Sequence, residues 1–294
     1  AMGGFGVAQT TAWQRARATR VAGRVGRVGT AMAEVGRHVT FAGKVLVSLP
    51  TALVRYRGQV VREVVDVGFG SKSLVAGGGT VGIVLAMSAV AAIMVGVETY
   101  RGLDLIGMTT LSGMLSAMAN TRELAPVVAS IALAAKVGTG FTARLGSMRI
   151  SDEIDALDSM SVPTIPYLAG TRLIATMICI VPLYAIGLVA TYIATRVVVV
   201  YVNGGSAGTY DHFFNITLGP EDVLYSLVKA VVFAAVIVLV HCSYGYYATG
   251  GPEGVGRAAG RALRTSILAI GFLDIVLTFA LWGLVPEVPA LGIT

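Results

Sequence analysis

Long stretches without a charged side chain constrain this chain more than any other feature of its sequence. Residues 73–97 carry no charge, and neither do residues 173–195. A helix of about 20 mostly apolar residues crosses the hydrocarbon core of a bilayer, so each stretch predicts a membrane-spanning helix. Only 13% of the 294 residues are charged, whereas a soluble domain has roughly 25%. This deficit excludes an ordinary soluble enzyme.

Between these two stretches lies a longer apolar segment that charges interrupt. It comprises residues 105–121 and 124–143, and it contains Arg122, Glu123 and Lys136. We interpret it as one long helix with polar interruptions. The alternative is two half-spans, because the segment is longer than one bilayer crossing and contains a proline that could break it.

Two more apolar segments follow, at residues 223–248 and 265–285. The first contains Lys229 near its start, and the second contains Asp274. The sequence therefore predicts an all-α integral membrane protein with five transmembrane helices. A buried pair between Lys229 and Asp274 would neutralise two charges that are costly inside a membrane.

The distribution of basic residues predicts the orientation of the chain. Half of the 22 Lys and Arg residues precede the first predicted span, and none lies in the C-terminal tail. Because basic residues concentrate on the cytoplasmic side, we expect a cytoplasmic N-terminus and an external C-terminus. The predicted organisation is a basic, amphipathic region at 1–72, a five-span domain at 73–287 and an external tail at 288–294.

The segment before the first span has the pattern of an amphipathic helix, over residues 53–67. Its apolar side would hold Val60, Val61, Val64 and Val65, and its polar side Arg55, Arg62, Glu63 and Asp66. This pattern is typical of a helix that lies in the headgroup plane. A helix that covers a cytoplasmic partner is the alternative.

The sequence lacks the motifs of several functional classes. The G-x-x-x-x-G-K-[ST] phosphate loop does not occur, so the chain does not hydrolyse ATP itself. His38, His212 and His241 are scattered, with no grouping typical of a hydrolase, and neither Cys179 nor Cys242 belongs to a metal-site pattern. We expect no catalytic residue, no metal site and no nucleic-acid partner.

A predicted cytoplasmic loop at 144–160 has the pattern of a short amphipathic helix. Ser151 is a candidate N-cap, and Asp152 and Glu153 would occupy the first turn, where the helix dipole favours acids. The apolar face would hold Ile150, Ile154, Leu157 and Met160, with Asp155 and Asp158 on other faces. We interpret this segment as a helix that docks into a groove on a soluble partner. A helix lying flat on the membrane is the alternative.

Polar residues recur every four positions before the charged pair of the second span. Ser112, Ser116 and Asn120 lead to Glu123, so they share one helix face. This face is either a substrate-lining wall or, with Arg122, a structural contact between helices. Small residues at the same spacing, at Gly138, Thr142 and Gly146 and at Gly256 and Gly260, predict close helix packing.

The chain resembles the MlaE/YrbE permeases, which are membrane subunits of ABC-type lipid transporters that work with MCE proteins. The resemblance runs from about residue 65 to residue 281 and is most specific at Arg122-Glu123-Leu124-Ala125-Pro126-Val127, at 145–149 and at 152–157. The amino-acid sequence at 148–151 looks most like that of the B-type YrbE subunit of actinobacterial MCE systems. Such a subunit is expected to pair with an A-type YrbE.

The resemblance implies a fold and a separate role for each subunit of the transporter. The fold is an interfacial N-terminal helix, five transmembrane helices and a cytoplasmic coupling helix at about 150–161. That helix would dock on a separate ATPase dimer, which binds ATP and Mg, through Arg149, Ser151, Asp152, Glu153, Ile154, Asp155, Leu157 and Asp158. A lipid chamber between two permease subunits would be lined by Ser116, Asn120, Arg122 and Glu123, with Lys136, Lys229 and Asp274 as buried polar residues. MCE proteins would sit on the external face of the plasma membrane.

The residues leave a second function open. An ion-coupled secondary transporter could use Glu123, Lys136 and Asp274 as a relay. The sequence specifies neither the lipid, which could be a fatty acid, mycolic acid, sterol or phospholipid, nor the direction of transport.

Overall fold

The computed structural model describes residues 32–68 and 79–283. The predicted tail at 288–294, the start of the first predicted span at 73–78 and residues 1–31 lie outside the described residues. The chain divides into two units, Ala1–Lys44 and Val45–Thr294. In the first unit, residues 32–44 are helical. In the second unit, the described residues are helices and connections without a strand, as expected for an all-α protein.

Five helices of the second unit are long and apolar enough to cross a membrane, which confirms the predicted number of spans. They are α2 (Gly79–Leu105), α3 (Thr109–Ile150), α5 (Ile165–Val202), α7 (Pro220–Tyr246) and α8 (Gly251–Trp282). Three shorter helices complete the unit after a helical segment at 45–55: α1 (Arg57–Gly68), α4 (Glu153–Ser159) and α6 (Ala207–Thr217).

Helix α3 settles the choice between one long helix and two half-spans. It is one helix of 42 residues, about 63 Å long at 1.5 Å per residue. Two stretches, Ala119–Leu124 and Ala134–Gly138, have the wider π-helical winding. Such π turns admit an extra residue without ending the helix, and they are frequent at functional sites.

The five spans alternate in direction, which defines two ends of the bundle. End A carries the connection between α2 and α3, helix α6, and the C-terminal end of α8. End B carries α4 and the connection between α7 and α8. Helix α3 packs on α7, α8 and, at end A, on α6, while α5 packs on α1, α2 and α7.

Close helix contacts explain one of the two small-residue patterns. A Cβ atom at Gly138 would lie 2.6 Å from Cδ2 of His241, and one at Gly146 would lie 2.7 Å from Val255. The expectation for Gly256 and Gly260 was wrong within this chain, because neither has a neighbour within 4 Å. The first pattern therefore joins α3 to α7 and α8, and the second faces outward.

Helix α1 packs through a different face from the one expected. Val60, Glu63 and Val67 are buried, whereas Val61 and Val65 are 63% and 53% exposed. The placement of Glu63 on the exposed polar side was wrong. It lies toward α5, where Arg172 provides a partner for its charge at 3.4 Å.

Candidate functional site

The site begins at Pro126, which leaves a backbone acceptor without its usual donor. A proline has no N–H, so the carbonyl four residues earlier, that of Arg122, loses its α-helical hydrogen bond. The π turn has a similar effect at Thr121, because the Ala125 N–H bonds to Asn120 instead. Two adjacent carbonyl groups of α3 therefore need donors from elsewhere.

Helix α7 supplies both donors from one face. The hydroxyl of Ser226 donates to the carbonyl of Thr121, and Nζ of Lys229 donates to the carbonyl of Arg122 at 2.8 Å. Ser226 and Lys229 are three residues apart, so they point the same way on α7. The irregular winding of α3 thus leaves a free carbonyl acceptor at the position where the buried lysine lies.

Lys229 is the centre of an ionic cluster that joins three spans. Its side chain is fully buried, and Nζ lies 2.7 Å from Oδ1 of Asp274 on α8 and 3.2 Å from Oε2 of Glu123 on α3. Nζ also donates to Oγ1 of Thr278 at 2.8 Å, and Thr278 donates to Oε1 of Glu123 at 2.8 Å. A charged group inside a membrane is costly unless it is paired, and this lysine has two carboxylates.

A second charged group adjoins the cluster at end A. Nε of Arg122 lies 3.1 Å from Oδ1 of Asp222, and the indole N–H of Trp282 donates to the same oxygen. The guanidinium group of Arg122 and Nζ of Lys229 lie 5.5 and 5.6 Å from the centroid of the Trp282 ring. Both distances suit cation–π attraction, so this tryptophan links the two charged groups.

A polar cavity of about 350 Å³ opens beside Arg122. Its lining includes Asp222, Tyr225 and Trp282, together with the C-terminal end of α6. The cavity is open to the surroundings of the chain, and Lys229 is not part of its lining. Small polar or charged groups that enter the cavity would therefore contact Arg122 rather than Lys229.

The structure separates the four residues that were expected to line a chamber. Arg122 lines the cavity, and the side chain of Glu123 is 44% exposed. Ser116 and Asn120 are fully buried, and Nδ2 of Asn120 donates to Thr195 on α5 at 2.9 Å. Within this chain, these two residues form helix contacts, and Arg122 and Glu123 are the accessible ones.

Lys136 differs from the expectation of a buried residue. Its side chain is exposed on the outer face of α3. The reason is the helical period: Ala134 and Val137 point toward the bundle, so Lys136 points away from it. Among the described residues it has no ion-pair partner.

The short helix α4 forms, but it begins differently from the prediction. Its first residue is Glu153, and the preceding position is occupied by Asp152 with φ of 57°. Ser151 is not the N-cap, because its hydroxyl donates back to Ser147 at 3.0 Å and to Glu153 at 2.8 Å. The tight turn from α3 into α4 requires a left-handed residue at 152, and this displaces the helix start by one position.

Helix α4 packs on α3 and is joined to it by an ion pair. Ile154 is fully buried, and Nη1 of Arg149 lies 2.7 Å from Oδ1 of Asp155. Leu157 is half-buried, whereas Ile150 and Met160 are 38% and 65% exposed. Exposed carboxylates therefore dominate the outer surface of α4, namely those of Asp152, Glu153, Asp155 and Asp158.

Comparison with known proteins identifies the family. Residues 69–280 match the family model of the permease MlaE, which is most of the chain. The chain belongs to the MlaE permease family.

Curated relatives of this MlaE-family permease agree with the family assignment. A probable ABC transporter permease protein of Rickettsia bellii is 29% identical over 231 residues, which are 78% of this chain and 86% of the relative. One from Synechocystis is 31% identical over 196 residues, covering 63% of this chain and 71% of the relative. The chloroplastic protein trigalactosyldiacylglycerol 1 of Arabidopsis thaliana is 29% identical over 203 residues, covering 68% and 57%. The chain is thus a component of an ABC transporter whose ATPase is a separate protein.

The sequence analysis missed several residues of this site. Ser226, Thr278, Asp222 and Trp282 were not singled out, and neither was the buried pair of Glu63 and Arg172. One signal was present: a proline four residues after Arg122 frees a carbonyl, which predicts a donor on a neighbouring helix. Polar residues near the ends of spans, such as Asp222 and Trp282, gave no such signal because these positions commonly face the headgroups.

Proposed function

We propose that this chain is one of two permease subunits of an MCE-type ABC transporter that moves a hydrophobic lipid. The ionic cluster at Lys229 carries this proposal, because it joins three spans next to an accessible Glu123 and an open cavity. Charged groups at such depth are rare unless they serve a pathway or a moving contact. The name of the Arabidopsis relative, which refers to a glycolipid, supports a lipid as the substrate class.

The chamber would form where Arg122 and Glu123 face a second subunit. We propose that this partner is an A-type YrbE subunit and that this chain is the B-type subunit. Ser116 and Asn120 would support the wall from behind, since both are buried. Fatty acids, mycolic acids, sterols and phospholipids all suit a chamber with apolar walls and a charged rim.

We infer the orientation from the basic residues at each end. Five arginines lie on α3 and α8 toward end B: Arg144, Arg149, Arg257, Arg261 and Arg264. We therefore propose that end B is cytoplasmic and that end A faces MCE proteins outside the plasma membrane. The N-terminus would be cytoplasmic and the C-terminus external.

Helix α4 would then be the coupling helix. It lies at end B, and its exposed acids suit a basic groove on an ATPase subunit. ATP and Mg would bind to that ATPase, and this chain would bind no cofactor. Because the Arg149–Asp155 pair joins α4 to α3, a push on α4 would move α3 and, through it, Arg122 and Glu123.

Co-purification in mild detergent tests the docking. We expect the ATPase to co-purify with the wild-type complex and to be lost from Asp155→Lys and from a deletion of residues 151–160. Asp104→Lys is the matched control, because Asp104 is an exposed acid at end A. Retention of the ATPase by both coupling-helix variants would overturn the assignment of α4.

Lipid analysis tests the chamber. We expect mass spectrometry of the purified complex to detect a bound lipid, and Glu123→Ala to reduce both that lipid and transport while the subunits stay assembled. Unchanged transport by an assembled Glu123→Ala complex would reduce Glu123 to a structural role.

The ion-coupled alternative has one observation in its favour, the contact of Glu123 and Asp274 with the same lysine. Lys136 does not extend that relay, because it lies 13 residues from Glu123 on α3, about 20 Å away. Transport by this chain alone in liposomes, driven by a proton gradient without an ATPase, would favour the alternative.

A further inference from the structure

Helix α8 passes from a basic segment at end B into an apolar one. Residues 265–282 carry one charge, that of Asp274, and the charge that precedes them is Arg264. A helix of about 18 residues is about 27 Å long, close to the ~30 Å of a hydrocarbon core. Arg264 and Trp282 therefore lie near the two boundaries of the core, where cations and tryptophans are common.

Two exposed arginines of α8 lie at the level of the headgroups. The headgroup layer adds about 5–8 Å to each side of the core. Arg261 is three residues before Arg264, so it lies about 4.5 Å farther toward end B and on the same side of the helix. Arg257, about 10 Å from Arg264, lies beyond this layer and pairs with Glu253 at 3.0 Å. The headgroup layer at end B therefore meets Arg261 and Arg264, whose side chains are both exposed.

Neither of these two arginines forms an ion pair with the described residues. Most other cations of the five spans form ion pairs within the chain: Arg122, Arg144, Arg149, Arg172, Arg196, Lys229 and Arg257. Nε of Arg264 donates to the carbonyl of Gly260 at 3.3 Å, and this bond uses one of the several N–H groups of a guanidinium. Two neighbouring positive charges repel each other, so an anion that contacts both would stabilise the pair.

Hydroxyl groups and open space adjoin the two arginines. The guanidinium group of Arg261 lies 5.9 Å from the centroid of the Tyr244 ring on α7, and the Tyr244 hydroxyl lies 3.2 Å from Oγ1 of Thr265. Thr265 is four residues after Arg261, on the same side of α8. At Gly260 no atom lies within 4 Å of the position of a Cβ atom. We name Gly260, Arg261, Arg264 and Thr265 the arginine face of α8.

The arginine face continues into an apolar surface. Leu268 and Phe272 follow Arg264 at successive four-residue steps, and they are 75% and 69% exposed. A phospholipid has its parts in the same order, with a phosphate at the headgroup level and acyl chains in the core. Arginine suits the phosphate because the planar fork of its N–H groups matches phosphate oxygens. A soluble anion would use the arginines alone, whereas a lipid uses both parts of this surface.

We propose that the arginine face of α8 binds the phosphate of an anionic phospholipid in the leaflet at end B, with the acyl chains along Leu268 and Phe272. This lipid is a constituent of the membrane rather than the transported molecule. Its site is separate from the proposed chamber, because Arg122 and the polar cavity lie at end A. The proposal holds whichever end of the bundle is cytoplasmic, and it does not depend on the proposed function.

Native mass spectrometry of the purified complex tests this site. The complex, with its partner subunits, is titrated in a mild detergent with phosphatidylglycerol and, separately, with phosphatidylcholine. We expect wild type to bind the first phosphatidylglycerol more tightly than phosphatidylcholine. Arg261→Gln and Arg264→Gln should each weaken that binding roughly five-fold, and both together roughly thirty-fold, as expected for basic residues at an anionic headgroup layer. Replacement of both by lysine should retain most of the binding, because both charges remain.

Lys136 on α3 provides the matched control. It is exposed and lies at the same level as Arg264, because Gly138, two residues after Lys136, and Ser266, two residues after Arg264, both contact His241. Lys136→Gln should leave the affinity for phosphatidylglycerol nearly unchanged, because no second cation lies within one turn of it on α3. An equal loss from Lys136→Gln and Arg264→Gln would show a diffuse attraction to basic residues, and it would overturn the site.

Two further results would overturn the proposal. The first is an equal affinity of wild type and the double glutamine variant for phosphatidylglycerol. Loss of a partner subunit from that variant would then identify an acidic protein segment as the occupant of the arginine face. The second is displacement of the lipid by an excess of glycerol phosphate, since a headgroup without acyl chains should not compete with a lipid that also contacts Leu268 and Phe272.

Discussion

The contact of α3 with α7 and α8 is built in two different ways along its length. Toward end A, charge holds the helices together, with Lys229 between Glu123 and Asp274. Toward end B, the same helices meet around Gly138 without any charge. His241 lies against this glycine and is hydrogen-bonded to Thr142 at 2.9 Å and to Ser266 at 3.3 Å.

The two halves of this contact differ in how easily their side chains can rearrange. At Gly138 a backbone touches an aromatic ring, so any movement of α3 against α7 meets a steric limit. At Lys229 the contacts are made by the ends of long side chains beside a cavity of about 350 Å³. Long side chains can exchange partners without large backbone movement. The two halves thus suit a changeable contact at end A and a fixed contact at end B.

The largest expected effect comes from removing the charge at the centre of the first half. Lys229→Met leaves Glu123 and Asp274 without their cation, and breaking a buried ion pair in this way costs about 3–5 kcal/mol. We expect a large fall in the thermal unfolding temperature of the detergent-purified protein. Lys229→Met combined with Asp274→Leu should cost less than the sum of the two single changes, because it removes both charges. Additive effects would show that the two residues do not interact, and the comparison of the two halves would fail.

A second buried pair extends the comparison to α1. Glu63 on α1 and Arg172 on α5 are 5% and 6% exposed, whereas Asp66 on α1 and Arg144 on α3 are 31% and 48% exposed. We expect Glu63→Gln to destabilise the protein by up to about 3 kcal/mol. Asp66→Asn should cost about 0–1 kcal/mol. Equal unfolding temperatures for the two variants would contradict the dependence on burial.

The sequence predicted the helices better than their contacts. Long apolar runs, two of them without any charge, predicted all five spans, since hydrophobic length decides whether a helix can cross a bilayer. The buried and exposed faces of the helices were harder to predict. Glu63 was expected to be exposed because it is charged, and Lys136 was expected to be buried because it lies in a span. Helix packing decides both positions, and it places each residue on the opposite side. Partners such as Thr278 and Asp222 lie far away along the chain, and no local pattern connects them to Lys229 or Arg122.

The packed half can be tested with one methyl group. Gly138→Ala would place Cβ 2.6 Å from a ring that Thr142 and Ser266 hold in place, and overpacking of this kind costs about 1–3 kcal/mol. Gly140→Ala adds the same group where no atom lies within 4 Å. It should be neutral or stabilise by up to about 1 kcal/mol through helix propensity. Similar unfolding temperatures for the two purified variants would show that the glycine contact is not a steric limit.

The smallest effect is expected for an exposed ion pair at end A, and it shows why burial rather than charge sets the scale. Two hydrogen bonds from Arg196 hold the pKa of Asp211 below its ordinary value of 3.8. Because the pKa is lowered in the folded protein, the stabilisation is complete above 3.8 and is lost as the pH falls through the lower, folded value. Asp211→Asn should therefore lower the unfolding temperature slightly at neutral pH, and the gap to wild type should close in acid. Asp104→Asn, which removes an exposed acid without an ion pair in the described part of the chain, should show no gap at any pH. A gap for Asp211→Asn as large as that for Lys229→Met would mean that exposed charges at end A stabilise the fold as strongly as the buried cluster.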